Sequence, residues 1–216
     1  MHKLKKSPRS QDIMTELDIP SPRQKYFAQP LATVVNLYLC GEIKAAEEYV
    51  EWFQLLRAAG ENDVICIRIN SEGGDLFSAL QLCRAMQESQ ATIIASVEGI
   101  CMSAATLIFL SADRFELSDH TMFMFHNYSS GTIGKGGEMY DQITHFRAWS
   151  DRLFNSFYRD FLTPEEIKSM LDNKDIWLDA EEVAKRLKSR AEKNLGEDTD
   201  DAEEVKPKRP RKKKEA

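Results

Sequence analysis

No stretch of this chain approaches the roughly 20 consecutive apolar residues that a membrane-spanning helix needs, so a membrane protein is not expected. The first residues are basic (His2, Lys3, Lys5, Lys6, Arg9) but no apolar core follows them, and they do not read as a secretory leader. Cysteine is scarce. Cys40, Cys66, Cys83 and Cys101 form no C-x-x-C pair, which argues against a zinc or redox site. Each sits in or beside an apolar run and reads as a buried, reduced thiol of a cytoplasmic protein. The phosphate-cradling G-x-x-x-x-G-K-[ST] is missing. Gly134-Lys135-Gly136-Gly137 has no hydroxyl after its lysine and no strand-to-helix setting, so ATP binding is not expected. The G-x-S-x-G elbow of the α/β-hydrolases is missing too. No metal and no cofactor are expected.

What is present is enough for one domain. The chain has 216 residues, 42% of them hydrophobic, and no internal linker breaks the pattern. The formal charge of −6 is unevenly spread: the start is basic, Gly196–Glu204 is acidic and Lys206–Lys214 strongly basic. Both ends have little to bury. The expected organisation is a flexible segment over 1–30, a folded domain over 31–193 and a disordered charged tail over 194–216. The basic run could meet phosphates, but the adjacent acidic run and the lack of aromatics for base stacking favour a solvated tail over nucleic-acid binding.

The periodicity alternates. Val34–Leu39 reads as a buried strand ended by Gly41, and Ile43–Ala59 as a helix with Tyr49, Trp52 or Phe53, and Leu56 on one face. Val64–Ile69, a helix from about Asp75 to Glu88, Thr92–Val97, a turn at Gly99 and an apolar helix Ser103–Leu110 follow, then strands Arg114–Leu117 and Met122–Phe125. This order predicts an α/β domain with parallel strands and helical crossovers. After the Gly-rich loop Ser129–Gly137, Met139, Ile143, Phe146, Leu153, Phe157 and Phe161 mark a long helix, to about Leu162. Its wide apolar arc fits a subunit contact and fits equally a helix that lies across its own domain. Thr163-Pro164-Glu165-Glu166 is a capping box, and Asp179 with Glu182 opens a last helix, Ala180 to about Lys193.

Three places combine polar groups with apolar surroundings. Ile69-Asn70-Ser71-Glu72-Gly73-Gly74 ends a strand in a glycine pair, where backbone N–H groups can approach a ligand or stabilise an oxyanion. For an isolated glycine pair an ordinary strand-to-helix turn is the better explanation. Ser103 opens an apolar helix between small residues, a position that suits an exposed nucleophile, though taken alone it reads first as a plain N-cap. His126 emerges from a buried strand, as a general base would and as a structural histidine would. A serine nucleophile needs such a base, and the base needs an acceptor that fixes its tautomer. Aspartate is plentiful. Asp175 stands out because the following Ile176-Trp177-Leu178 should carry it into the interior, where an unpartnered carboxylate is costly.

Taken in order, these segments resemble the proteolytic subunit of the Clp proteases, ClpP, over roughly Val34–Val183. I-N-S-E-G-G is similar to the family's I-N-S-P-G-G, G-I-C-M-S-A-A to G-x-A-A-S-M-G, M-F-H-N-Y to M-I-H-Q-P, and D-I-W-L-D-A-E-E to D-R-F-[LM]-[ST]-A-x-E-A. The resemblance implies Ser103 as nucleophile, His126 as general base and Asp175 as the carboxylate that orients it. It implies the backbone N–H groups of Gly74 and Ala104 as the oxyanion hole. It implies a crotonase-like fold of repeated strand–strand–helix units, with the loop Ser129–Gly137 and the helix after it as a protruding handle. The implied function is serine endopeptidase, cleaving unfolded polypeptides inside two stacked rings of identical subunits, a tetradecamer fed by a separate ATP-driven unfoldase.

Departures mark a divergent member, and a phage origin would fit them. Glu72 stands for the family's Pro, Ala104 for Met, and Asn127-Tyr128 for Gln-Pro; the usual G-L-[VI]-D is replaced by Lys185-Arg186-Leu187-Lys188. The alternative within the family is a catalytically weak or inactive ring subunit. A crotonase-type acyl-CoA enzyme would share the fold but has no need of all three triad residues.

Overall fold

The computed structural model describes residues 32–201; the expected flexible segment 1–30 and the end of the charged tail lie outside the described residues. Six strands form one sheet in the order β1 (Val34–Ile43), β2 (Val64–Gly74), β3 (Thr92–Met102), β5 (Met122–Phe125), β6 (Ile176–Asp179), with β4 (Arg114–Leu117) beside β3. All pairings are parallel except β5 with β6. Helices α1 (Val50–Ala58), α2 (Leu76–Glu88) and α3 (Ala104–Leu110) pack against the face that carries Leu37, Leu39, Ile65, Ile67, Ile69, Ala95 and Val97, all buried. This is the α/β arrangement that the alternation predicts and is consistent with a crotonase-like fold. All seven residues of α3 are buried, so this helix is apolar all round because the sheet and its neighbours cover it completely. Side chains such as Leu107 and Phe109 each contribute about 1.5–3 kcal/mol by leaving water.

Several boundaries differ from the sequence reading. Gly41 does not end β1. It adopts φ +74°, and the β1–β2 register slips between Cys40 and Glu42, so the strand bulges there and continues to Ile43. Gly99 lies inside β3 rather than in a turn. Its small size leaves room for the Asn70 amide, whose Oδ1 accepts from Ile100 N at 3.2 Å. Ile43 belongs to β1, and a 3₁₀ turn at Ala46–Tyr49 precedes α1. Cys40 is exposed while Cys66, Cys83 and Cys101 are buried, so the burial expected of all four thiols fails at the bulge.

In the second half, α4 (Gly136–Tyr158) leads through α5 (Pro164–Leu171) and β6 to α6, which runs Ala180–Asp201, past the end expected near Lys193. The capping box at Thr163 is complete: its hydroxyl accepts from Glu166 N, and the Glu166 carboxylate accepts from Thr163 N. From Gly136 to Ala148 only Met139 and Phe146 are even half-buried, so the front of α4 stands clear of the domain. Tyr140 and Ile143 are 71% and 53% exposed there, and Ile133 in the preceding loop is fully exposed. Phe146 is not free for a neighbour. It packs among Phe77, Tyr128 and Trp149 of its own chain, and Leu153 rests on the core.

Candidate active site

The sheet register assembles the site. β4 takes the first half of the β3 edge, Ile94–Val97, and β5 takes the second, Ile100–Met102. Pairing Met102 with Met124 brings the ends of β3 and β5 level, and Ser103 N donates to Met124 O at 2.8 Å. The next residues out are therefore neighbours: His126 Nε2 lies 2.6 Å from Ser103 Oγ.

Ser103 makes the turn from β3 into α3 with φ 54° and ψ −130°, a sparsely populated conformation for a residue with a Cβ, costing about 1–3 kcal/mol. A sharp strand-to-helix turn of this kind lifts the hydroxyl out of the backbone, as in the nucleophile elbow, although the G-x-S-x-G signature is absent. Ser103 stands at the N-cap position, yet its side chain makes no capping bond. Its oxygen is directed at His126, which removes the reading of this serine as a plain cap. Cys101, two residues earlier, is no rival nucleophile: it is fully buried, and burial drives its thiol far above the ordinary cysteine range.

The glycine pair is drawn against this turn. A Cβ on Gly73 would lie 2.6 Å from Ser103 Cβ and 2.7 Å from Met102 O, so only glycine fits, and its φ of +93° asks for glycine as well. Ser71, fully buried, braces the approach: its hydroxyl donates to Gly41 O at 2.6 Å and accepts from Gly73 N at 3.1 Å. The sequence reading singled out Gly74 and passed over Gly73 and Ser71. The glycine pair itself was the available signal.

An apolar cleft of about 360 Å³ opens beside Ser103 and His126. Gly74 and Ala104, the two residues expected to supply oxyanion donors, both border it. Its walls are Leu76, Phe77, Tyr128, Phe146 and Phe154. The carboxylate at its rim, Asp75, accepts from Ser78 N at 2.7 Å as the cap of α2 and is committed there.

Asp175 is placed differently from its expected interior position. The antiparallel β5–β6 ladder ends at the pair Phe125–Ile176, and His126 and Asp175 are the next residues beyond it in each chain direction. The Asp175 side chain, however, is exposed, and its described hydrogen bonds do not include one to His126. Ile176 and Leu178 are only half-buried and Trp177 is 52% exposed, so β6 is an edge strand lying on the surface rather than in the core. The loop after His126 is tied to the same region: Asn127 Nδ2 donates to Leu171 O at 3.2 Å, and Asn127 Oδ1 accepts from Tyr128 N at 2.9 Å. These bonds hold the turn where the family has proline. Among the described residues no cluster of His, Cys, Asp or Glu has the form of a metal site, and no helix is long and apolar enough to cross a membrane.

The largely parallel α/β sheet thus ends one strand in a strained serine that faces a histidine beside an apolar cleft. A sequence model of the Clp protease family matches residues 25–186, and the chain belongs to that family. It is 31% identical over 146 residues to the ATP-dependent Clp protease proteolytic subunit 2 of Pseudomonas aeruginosa, across 65% of this chain and 70% of that relative.

Proposed function

We propose that this ClpP-like protein is a serine endopeptidase that hydrolyses unfolded polypeptides through an acyl-enzyme. The observation that carries the proposal is the 2.6 Å approach of His126 Nε2 to Ser103 Oγ on a strained turn at the cleft. His126 Nε2 takes the Ser103 proton as Oγ attacks the peptide carbonyl. The Nδ1–H of the ring then needs an acceptor, and Asp175, the residue just before β6, is the carboxylate assigned to it by family resemblance. Closing that contact requires the Asp175 side chain to turn inward from its exposed position. The N–H groups of Gly74 and Ala104 receive the oxyanion; loss of one such donor typically costs about 10²–10³-fold in rate. His126 returns the proton to the leaving amine, and water attacks the acyl-enzyme in the reverse sense.

Ring assembly and an ATP-driven unfoldase partner belong to the same proposal, as does a cytoplasmic location. They rest on family membership, on the ATP dependence named for the Pseudomonas relative and on the apolar surface of Ile133, Tyr140 and Ile143. A second reading, an inactive ring subunit, draws on the exposed Asp175, which makes no hydrogen bond to His126 among the described residues. A fluorogenic peptide assay on the wild type beside Ser103→Ala separates the two. Hydrolysis lost in the variant supports the peptidase. An assembled wild type without turnover, and without a fluorophosphonate adduct on Ser103, supports the inactive subunit.

A further inference from the structure

Behind the turn that presents Ser103 lies a buried hydroxyl pair that the reaction scheme above does not use. Thr106 sits one turn into α3 with no exposed surface, and Tyr158, the last residue of α4, is 1% exposed. Thr106 Oγ1 is 2.7 Å from Ser103 O and also 2.7 Å from Tyr158 Oη. The direction of the second bond follows from counting protons. A threonine hydroxyl has one hydrogen, and here it is donated to the Ser103 carbonyl. Thr106 can then only accept from Tyr158, whose phenol proton would otherwise have no partner among the described residues. The opposite assignment would orphan the phenol hydrogen and strip the carbonyl of its hydroxyl donor. Burial raises the Tyr158 phenol well above its ordinary range, so it remains a donor at any working pH.

The carbonyl at the end of this chain belongs to the strained residue. Ser103 O also accepts from Thr106 N at 3.0 Å, so one residue grips it with both its backbone and its side chain. The orientation of that carbonyl is the ψ angle of Ser103, and ψ with φ decides where Cβ and Oγ point relative to His126. Tyr158 is in turn immovable: Phe125 meets its ring edge-on at 5.4 Å, and Phe154 stacks on it at 5.8 Å. Strain at a functional turn persists only where the surroundings over-determine it. We propose that Thr106 and Tyr158 are positioning residues that hold the Ser103 carbonyl, and through it the angle at which Oγ meets His126. The proposal rests on the reading of Ser103 as nucleophile.

The test uses full-length Thr106→Val, Thr106→Ser, Tyr158→Phe and the double variant Thr106→Val/Tyr158→Phe. Each is measured for fluorophosphonate labelling rate at Ser103, for kcat and KM on a fluorogenic peptide, and for melting temperature. Thr106→Val keeps the shape, removes the hydroxyl and leaves the buried phenol unpaired; labelling rate and kcat should fall roughly 10–100-fold with KM nearly unchanged. Thr106→Ser should restore both. Tyr158→Phe should fall between Thr106→Ser and Thr106→Val. The decisive comparison is the double variant, in which no buried hydroxyl is left unpaired. Its melting temperature should recover above that of Thr106→Val while its labelling rate stays low. If labelling recovers in step with melting temperature, or if Thr106→Val labels at the wild-type rate, the pair is merely structural and the proposal is overturned. A wild type that neither labels nor hydrolyses peptide overturns the nucleophile reading itself, which no variant of Thr106 can mimic.

Discussion

Gly73 and Ser103 are packed so closely that a methyl group on the glycine would lie 2.6 Å from the serine Cβ. The two residues are thirty positions apart, Gly73 near the end of β2 and Ser103 in the turn just after its parallel neighbour β3, and both have a positive φ. Gly73→Ala should therefore displace the Ser103 turn and lower peptide hydrolysis by about 10²-fold or more. Gly41→Ala is the control. It shares a positive φ, +74°, but a Cβ there meets nothing within 4 Å, so it should cost only about 1–2 kcal/mol of stability and leave turnover intact. Peptide assays and thermal melts of both variants check this.

The three nearby aspartates should separate cleanly. Asp175→Asn should leave the protein folded and reduce kcat by up to roughly 10⁴-fold, the loss associated with a mis-set histidine tautomer. Asp172→Asn, at the exposed C-cap of α5, should change little. Asp179 Oδ1 accepts from Glu182 N at 2.9 Å at the start of α6, so Asp179→Ala should cost about 1 kcal/mol of stability and spare the chemistry. All three must be compared at equal oligomer content. Near-wild-type turnover in Asp175→Asn would send the search for the histidine's acceptor elsewhere.

Stability should fall on the acid side through the α5–α6 contact. Arg186 clamps Glu166 with two bonds, at 2.7 and 2.9 Å, and reaches Glu182 at 2.8 Å. The Glu166 carboxyl is held below the ordinary glutamate range, first by the Arg186 hydrogen bond and against the cost of its partial burial. A carboxyl depressed in the folded state contributes stability that is complete above the unfolded value, about 4.3, and is lost as pH falls through the folded value. Urea midpoints should drop from about pH 4.5 downward, and Glu166→Gln should lower the midpoint near pH 7 while flattening that acid limb. An unchanged acid limb in the variant would show that other carboxylates govern it.

Self-association should depend on the front of α4. Tyr140→Glu and Ile143→Glu alter side chains that are exposed and touch little of their own domain, so they should yield smaller particles with an unchanged melting profile of the subunit. Phe146→Glu is the poorer probe, because that ring packs against Phe77 and Trp149 and its loss disturbs the cleft wall. Light scattering reads the outcome. A wild type that is monomeric across physiological concentrations would remove the ring from the proposal.

The amino-acid order by itself determined the alternation of strands and helices, because strand and helix periods are local properties of a few consecutive side chains. It determined the capping box at Thr163 and the cap at Asp179 for the same reason: donor and acceptor are three residues apart. Through resemblance to a family it also named Ser103, His126 and Asp175 as a set. Tertiary structure decided the rest. Whether Gly41 ends a strand or bulges it depends on the register against β2, and whether Gly99 turns or stays extended depends on the Asn70 side chain over it. Whether Ser103 caps a helix or faces a base depends on β5 lying beside β3. The position of Asp175 depends on how deeply an edge strand docks, which a short apolar run does not specify. Thr106 and Tyr158 were invisible as a pair because fifty-two residues separate them. A buried hydroxyl finds its partner only when the core closes, and until then threonine and tyrosine read as ordinary helix residues.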